Sequence, residues 1–266
     1  MRPGQTADVS TETEEQRIRR ERLRRLFDGI AGQYDAARPE YPAGILSALF
    51  ATAAIGPGAA VLEIGCGTGQ LTRQLAERSV DLTAIDIGPA MVAAARQAVP
   101  DPAVRFQVSS FEDFADDGPF DLIVSATAFH WVDPRVGWAK ASRLLRQGGW
   151  LALLSTEERY PEPLRARLRE LWARYSRRSV RVADQPAWLA GLRETAQFGE
   201  TVEVVDTSQV RLPVQAVIAV ERTRATFLSY SEQDQADFTA DLTGLLEPGS
   251  HVDLVRETVL AMAPAV

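Results

Sequence analysis

The sequence predicts an α/β fold, a doubly wound and mostly parallel sheet of seven strands with helices on both faces. Between residues 60 and 155, short apolar runs typical of buried strands alternate with segments of helical periodicity. Such alternation is characteristic of parallel strands joined by right-handed helical crossovers. A glycine-rich turn also follows the first apolar run, at a position where sheets of this class commonly bind ligands.

The N-terminal part of the chain is predicted to form a helical cap over residues 17–58, after a disordered tail of residues 1–16. Apolar residues recur at helical spacing between arginines and glutamates from Ile18 to Tyr34, which indicates an amphipathic helix. A segment with two prolines ends this pattern, because proline disfavours helical angles in the residue before it. A second helix is then expected over residues 43–54.

Residues 59–158 form the predicted core of alternating strands and helices. Its strands are expected at residues 60–64, 81–86, 104–108, 120–125 and 150–155, with helices at 70–78, 89–98 and 136–145. Residues 159–266 complete the sheet with strands at 202–212 and 251–262. They also add late helices at 163–175, 186–197, 214–229 and 232–246.

The composition favours a cytoplasmic protein over a nucleic-acid-binding or membrane protein. The 266 residues carry a formal net charge of −7, whereas binding to phosphates requires a basic face. No apolar run approaches the roughly 20 residues of a membrane span, and the N-terminus lacks the apolar stretch of a signal peptide. Cys66 is the single cysteine, so an internal disulfide and a cysteine-based zinc site are excluded. We expect no bound metal, and either a monomer or a homodimer.

The turn after the first strand, Glu63-Ile64-Gly65-Cys66-Gly67-Thr68-Gly69, has glycine at every second position. Dinucleotide-binding loops have the different spacing G-x-G-x-x-G and place a pyrophosphate at a helix N-terminus. Glu63 would repel a pyrophosphate, but it can accept a hydrogen bond from an ammonium or hydroxyl group. Asp86 ends the second strand, where a carboxylate can bind the two hydroxyls of a ribose.

The run from Val61 to Gly69 resembles motif I of the class I S-adenosylmethionine-dependent methyltransferases, in their broad small-molecule subgroup. Asp86 with Ile87 and Met91 resembles the family's ribose-binding segment, and Ser110 to Asp113 resembles its adenine-binding segment. Thr127 to Asp133 resembles the segment after the fourth strand, and Tyr34 to Pro42 resembles the N-terminal cap. The resemblance implies a Rossmann-like methyltransferase fold with a helical lid insertion among the late helices. It also implies S-adenosylmethionine as the cofactor and S-adenosylhomocysteine as its product.

The resemblance implies a set of site residues. Those expected to bind the cofactor are Tyr34, Arg38, Glu63, Gly65, Cys66, Gly67, Gly69, Asp86, Ile87, Met91, Phe111, Glu112 and Thr127. Phe129, His130 and Trp131 are expected to line the substrate pocket. His130 is in addition the candidate catalytic residue, either as a base that removes a proton from the acceptor or as a group that positions it.

The predicted function is the transfer of a methyl group from S-adenosylmethionine to a small-molecule acceptor, by in-line displacement at the sulfonium. O-methylation is favoured, and N- or C-methylation remains open. One alternative is an enzyme of the same fold that binds the cofactor without methylating, such as a cyclase. A second alternative, a nicotinamide-dependent oxidoreductase, is disfavoured by the spacing of the glycines.

Overall fold

The computed structural model describes residues 14–115, 118–176, 191–247 and 249–266 of the chain. Its N-terminal helical segment consists of α1 (Glu14–Arg25), a 3-10 turn (Asp28–Ile30), α2 (Ala31–Ala37) and α3 (Ala43–Thr52). The predicted tail, residues 1–16, lies outside the described residues except for its last three, which are helical. The single helix predicted from Ile18 to Tyr34 is therefore interrupted. Aspartate and glycine at positions 28 and 29 are weak helix formers, and the Asp28 carboxylate binds another helix instead.

The seven predicted strands form one sheet. They are β1 (Ala60–Ile64), β2 (Asp81–Asp86), β3 (Val104–Val108), β4 (Phe120–Ala126), β5 (Leu145–Arg159), β6 (Val202–Pro213) and β7 (His251–Pro264). Their order across the sheet is β3-β2-β1-β4-β5-β7-β6. The first five are parallel, and β7 is antiparallel to both of its neighbours. The predicted doubly wound, mostly parallel sheet is confirmed.

The remaining helices are α4 (Gln70–Ala76), α5 (Pro89–Ala98), α6 (Pro134–Leu144), α7 (Leu164–Ser176), α8 (Val214–Arg222), α9 (Ala225–Leu228) and α10 (Glu232–Leu245), and a 3-10 turn covers Phe129–Trp131. The helix predicted over 214–229 is broken at Thr223, whose hydroxyl donates to the Val220 carbonyl and whose successor Arg224 is extended. Of the helix predicted over 186–197, residues 186–190 lie outside the described ranges and residues 191–194 are helical. Within the described ranges, no helix is long and apolar enough to cross a membrane.

Two apolar layers cover the parallel part of the sheet, because its strands are buried on both faces. In β1, the adjacent residues Val61 and Leu62 are both fully buried, on opposite faces. A third apolar cluster lies among α7, α8 and α10, around the fully buried ring of Phe238. The pairing of β5 with β7 continues to Arg159, and the next residue, Tyr160, belongs to this third cluster. The prediction for β5 ended at residue 155 because exposed and polar residues follow, and these break the apolar pattern.

The chain reverses its winding direction between β1 and β4. β1 is followed by β2 on one side, whereas β4 lies on its other side. In sheets of this class, the crevice at the carboxyl ends of the two strands at such a switch point is the usual ligand site. The turn after β1 and the turn after β4 therefore meet at this edge.

Candidate active site

The glycine turn after β1 is shaped by the segment that follows β4. A Cβ atom added to Gly65, which has φ +73, would lie 2.3 Å from the Cβ of Ala128, so no side chain fits there. Gly67 has φ +55, and the nearest atoms to its missing Cβ, on Gln70 and Tyr34, are 3.9 Å away. The turn therefore packs tightly against Ala128 at its first glycine and leaves an open cradle at its second.

Asp86, at the end of β2, holds the turn together. One carboxylate oxygen accepts the Gly67 N–H at 3.0 Å and the other accepts the Gly88 N–H at 2.8 Å. Burial raises the pKa of this carboxyl group. Since each carboxylate oxygen can accept two hydrogen bonds, the carboxylate retains capacity for a ligand hydroxyl.

A cavity of about 110 Å³ lies beside this carboxylate. Its walls contain eight of the predicted cofactor residues: Tyr34, Gly65, Gly67, Asp86, Ile87, Met91, Phe111 and Thr127. Ser110, from the predicted adenine-binding segment, also lines it, together with Arg24, Phe27 and Ser109, which the sequence analysis did not single out. The elements at the carboxyl edge of the sheet and the N-terminal helices thus form one site.

A second and larger cavity, of about 610 Å³, adjoins the first. The two share four wall residues: Phe27, Tyr34, Thr127 and Trp131. Of the predicted site residues, Arg38 and His130 line the larger cavity alone, together with Glu158, Arg224 and Thr226 from the later part of the chain. We call the four shared residues the junction.

Thr127 at the junction has an unusual backbone conformation. Its φ of +55 places a β-branched residue in the left-handed region, where such residues are rare. Its N–H donates to the Leu154 carbonyl at 2.8 Å, which ties it to the neighbouring strand β5. The fold therefore holds this strained residue in place where the two cavities meet.

Arg38 lies on the Tyr34 side of the larger cavity. Its guanidinium carbon is 5.2 Å from the centre of the Tyr34 ring. Its buried Nε–H has no hydrogen-bond partner among the residues that the structure describes. Buried donors are normally paired, so this atom fits a site for an anionic or carbonyl group of a ligand.

Five predicted site residues do not line either cavity. Glu63 is 1% exposed and accepts a hydrogen bond from the Thr72 hydroxyl at 2.6 Å. Burial raises the pKa of its carboxyl group to about 7. Cys66 and Phe129 are buried in the apolar layers, and Gly69 packs against the backbone of Ala95.

Glu112, the fifth of these residues, binds the first helix. Its carboxylate accepts the Asp133 N–H at 2.9 Å and hydrogen bonds from Arg20 and Arg24 of α1 at 3.3 and 3.2 Å. These contacts lower the pKa of the Glu112 carboxyl group below its ordinary value. Arg20 and Arg24 are one helical turn apart, a spacing by which the sequence analysis could have placed them on one face.

His130 is neutral at physiological pH. Burial lowers the pKa of its imidazole to about 4. Its ring centre lies 4.8 Å from that of Trp131, at the edge of the junction. A neutral imidazole in this place can accept a proton or a hydrogen bond from a molecule in the larger cavity.

The sequence matches the protein family described as "Methyltransferase domain" over residues 62–153. An uncharacterized methyltransferase of Mycobacterium tuberculosis is 38% identical over 128 residues, which cover 48% of this chain and 51% of that protein. A malonyl-[acyl-carrier protein] O-methyltransferase of Paenibacillus sp. is 41% identical over 100 residues, 34% of this chain and 36% of that protein. A ubiquinone biosynthesis O-methyltransferase of Xanthomonas campestris is 34% identical over 145 residues, 51% of this chain and 60% of that protein. The chain spans about half the length of the first of these relatives.

Solved structures resemble most of the chain. A candidate type II methyltransferase from Anaeromyxobacter dehalogenans has a TM-score of 0.64 at 22% identity, over 85% of this chain and 97% of that one. Phosphoethanolamine N-methyltransferase 2 of Haemonchus contortus, in complex with S-adenosylhomocysteine, has a TM-score of 0.55 at 16% identity, over 91% of this chain and 60% of that one. At these identities the likeness concerns the fold. The chain therefore has the Rossmann-like methyltransferase fold, and its residues 62–153 match the methyltransferase domain family.

Proposed function

We propose that the protein transfers a methyl group from S-adenosylmethionine to a small-molecule acceptor. One observation carries this proposal: two adjoining cavities meet at the junction, at the carboxyl edge of the sheet. The adenosyl end of the donor occupies the smaller cavity, beside Asp86. The acceptor enters the larger cavity, and the methyl group passes between them at the junction.

The residues around the smaller cavity fit this donor. Asp86 has free acceptor capacity for the ribose hydroxyls, and the cradle at Gly67 leaves room for the chain between ribose and amino acid. Beyond the junction, in the wall of the larger cavity, the Nε–H of Arg38 has no partner among the described residues, and together with the nearby Tyr34 it suits the carboxylate at the methionine end. When bound, S-adenosylmethionine supplies a methyl group that its positively charged sulfur activates for displacement.

The chain's own residues contribute alignment and the exclusion of water. Holding two reactants in line can lower a barrier by roughly 7–11 kcal/mol. Trp131 and Phe27 close the junction with apolar surface, and their rings are 6.0 Å apart. With a pKa of about 4, His130 is a weak base, which favours the interpretation that it positions the acceptor by hydrogen bonding. Transfer to oxygen is favoured because two of the relatives are named as O-methyltransferases.

Calorimetric titration with S-adenosylhomocysteine and NAD tests the donor site. We expect the wild-type protein to bind the former, and Asp86→Ala to weaken it by about 10- to 150-fold, because a hydrogen bond from a hydroxyl to a carboxylate contributes about 1.5–3 kcal/mol. Asp81→Ala is the matched control, since Asp81 begins the same strand and forms an ion pair, with Arg105, that is about half exposed. Binding of NAD instead, or unchanged affinity in Asp86→Ala, would refute the proposal.

Incubation with S-adenosylmethionine and pooled small metabolites tests the transfer. We expect S-adenosylhomocysteine to be released together with a metabolite that has gained the mass of one methylene group. Cofactor binding with no such product would favour the non-methylating alternative. A cytoplasmic location and a monomeric or homodimeric state are part of this proposal and rest on the sequence.

A further inference from the structure

A buried carboxylate with four hydrogen-bond donors lies behind the wall of the larger cavity, next to the late residues Val220 and Thr223 that line it. Glu221, at the end of α8, is 1% exposed. It accepts hydrogen bonds from the Tyr160 hydroxyl at 2.9 Å and from the Trp172 indole at 3.0 Å. Arg224 donates to it from Nε at 2.8 Å and from Nη2 at 3.0 Å. A buried charge is tolerated only when it is fully paired, and these contacts satisfy both oxygens.

This network fixes the orientation of Arg224. Glu221 occupies the side of the guanidinium that carries Nε and Nη2, and Nη1 has no hydrogen-bond partner among the residues that the structure describes. The Arg224 side chain is 42% exposed and lines the larger cavity, whereas the side chain of Glu221 is 1% exposed. Among the described residues, Glu221 is the one carboxylate within ion-pair distance of Arg224. The break between α8 and α9 places this arginine at the cavity wall, because Arg224 itself is extended.

We propose that Arg224 binds a carboxylate of the acceptor through its free Nη1 end, so that the acceptor is a small organic acid. This rests on the proposed function, since it assigns a substrate class to the same cavity. A planar guanidinium matches the two oxygens of a carboxylate, and the network has already restricted its rotamers. Arg38, the other arginine of this cavity, lies beside Tyr34, where the methionine end of the donor is proposed to bind.

The same geometry assigns the methylated atom to a different group of the acceptor. A carboxylate held by a guanidinium has its oxygens engaged in hydrogen bonds, and it is therefore a poor nucleophile. The nucleophile is then a hydroxyl or amino group of the same molecule, which would form a bond to the methyl carbon as the carbon–sulfur bond of the sulfonium breaks, and would release its own proton to solvent. The product keeps its free carboxylate and is not a methyl ester.

Matched pairs of carboxylates and carboxamides test the proposal by calorimetry. The panel consists of salicylate, 4-hydroxybenzoate, lactate and alanine, each beside its amide, with and without saturating S-adenosylhomocysteine. We expect at least one carboxylate to bind about 10- to 150-fold more tightly than its amide, the range for charge-assisted hydrogen bonds. Arg224→Gln removes this preference, and the matched control Arg222→Gln, a change at an exposed position of α8, retains it.

Two further variants separate recognition from a purely structural role. Tyr160→Phe keeps both charges and removes one contact that holds Glu221, so the preference falls several-fold while the affinity for S-adenosylhomocysteine is unchanged. Arg224→Lys does not restore the wild-type preference, because an ammonium group cannot form the two parallel hydrogen bonds. Equal affinities for acids and amides across the panel, or a preference that survives in Arg224→Gln, would overturn the proposal.

The outcomes for the two proposals are distinguishable. Wild-type protein that binds no S-adenosylhomocysteine would refute the proposed function, and the carboxylate preference is still measured in the titrations without it. Wild-type protein that binds S-adenosylhomocysteine and shows no carboxylate preference would refute the substrate class alone. A methylated product that mild alkali hydrolyses back to its acid would refute the assignment of the methylated atom.

Discussion

Replacing Glu63 with glutamine tests whether its buried carboxyl group is a cofactor contact or an internal polar group. The side chain is 1% exposed, and its described partner is the hydroxyl of Thr72 at 2.6 Å. Glutamine has nearly the same shape, and its carbonyl oxygen can accept the same hydrogen bond. The substitution therefore removes the ionisation of residue 63 while it preserves the packing.

The expected effect follows from the pKa of Glu63. Burial raises this pKa from 4.5 to about 7, so the folded protein binds a proton that the unfolded chain has already released between these pH values. The resulting stabilisation is complete below pH 4.5 and is lost as the pH rises through 7. Since a tenfold difference in acidity corresponds to about 1.4 kcal/mol, the ionised carboxylate destabilises the protein by up to about 3 kcal/mol at pH 8. Glu63→Gln lacks this penalty.

Urea unfolding of wild type and variant across a series of pH values measures the difference. We expect the free energy of unfolding of Glu63→Gln to exceed that of wild type by about 1–3 kcal/mol at pH 8, and this difference to decrease towards zero near pH 5. Glu77→Gln, a change at an exposed glutamate just after α4, is the control and shows no such dependence. A variant that is less stable at pH 8, or a gap independent of pH, would refute the reasoning. A loss of more than tenfold in affinity for S-adenosylhomocysteine would instead favour a direct contact with the cofactor.

Three further substitutions have effects that the structure predicts. Asp28→Ala removes the acceptor for the N–H groups of Ala90 and Met91 at the start of α5. We expect urea unfolding to show that the free energy of unfolding falls by about 0.5–2 kcal/mol, and an unchanged unfolding midpoint would contradict this. His130 has a pKa of about 4 in the folded protein and 6.5 in the unfolded chain, so the free energy of unfolding of wild type falls by up to about 3 kcal/mol as the pH falls between these values. We expect His130→Gln to lack this fall in urea unfolding, and parallel pH profiles of stability for the two proteins would contradict the prediction. Phe238→Ala empties a fully buried position, with an expected loss of about 3–5 kcal/mol by the same measurement; a loss below 1 kcal/mol would show that the site collapses around the alanine.

The central strands of the sheet were predictable because they are buried on both faces. Such strands appear in the sequence as continuous apolar runs, of which Val61 and Leu62 are an example. The late helices were predicted less well, because helical periodicity continues across the break at Thr223 although the backbone does not. A hydroxyl that bonds to its own helix ends α8 there, and this effect has no signature in apolar spacing.

In the candidate site, the residues whose relation is fixed by nearby sequence could be predicted. The residues that only the tertiary fold brings together could not. Asp86 and Gly67 could be predicted because a short strand and turn fix their relation to each other. The placement of Glu63 away from the cavities depends on which face of β1 it occupies and on its contact with Thr72 in α4. Arg24 and Phe27 were missed because the N-terminal helices reach the cavity only through the tertiary fold.

The larger cavity has a consequence for how this protein and its relatives diverge. The glycine turn and Asp86 lie within the shared domain of residues 62–153, whereas Tyr34 precedes that domain and Glu158 and Arg224 follow it. Under the proposed function, mutations in these flanking segments change which acceptor is methylated and leave the residues that bind the donor unchanged. Chimeras that exchange the flanking segments between two such enzymes should accordingly inherit their choice of acceptor from the flanks.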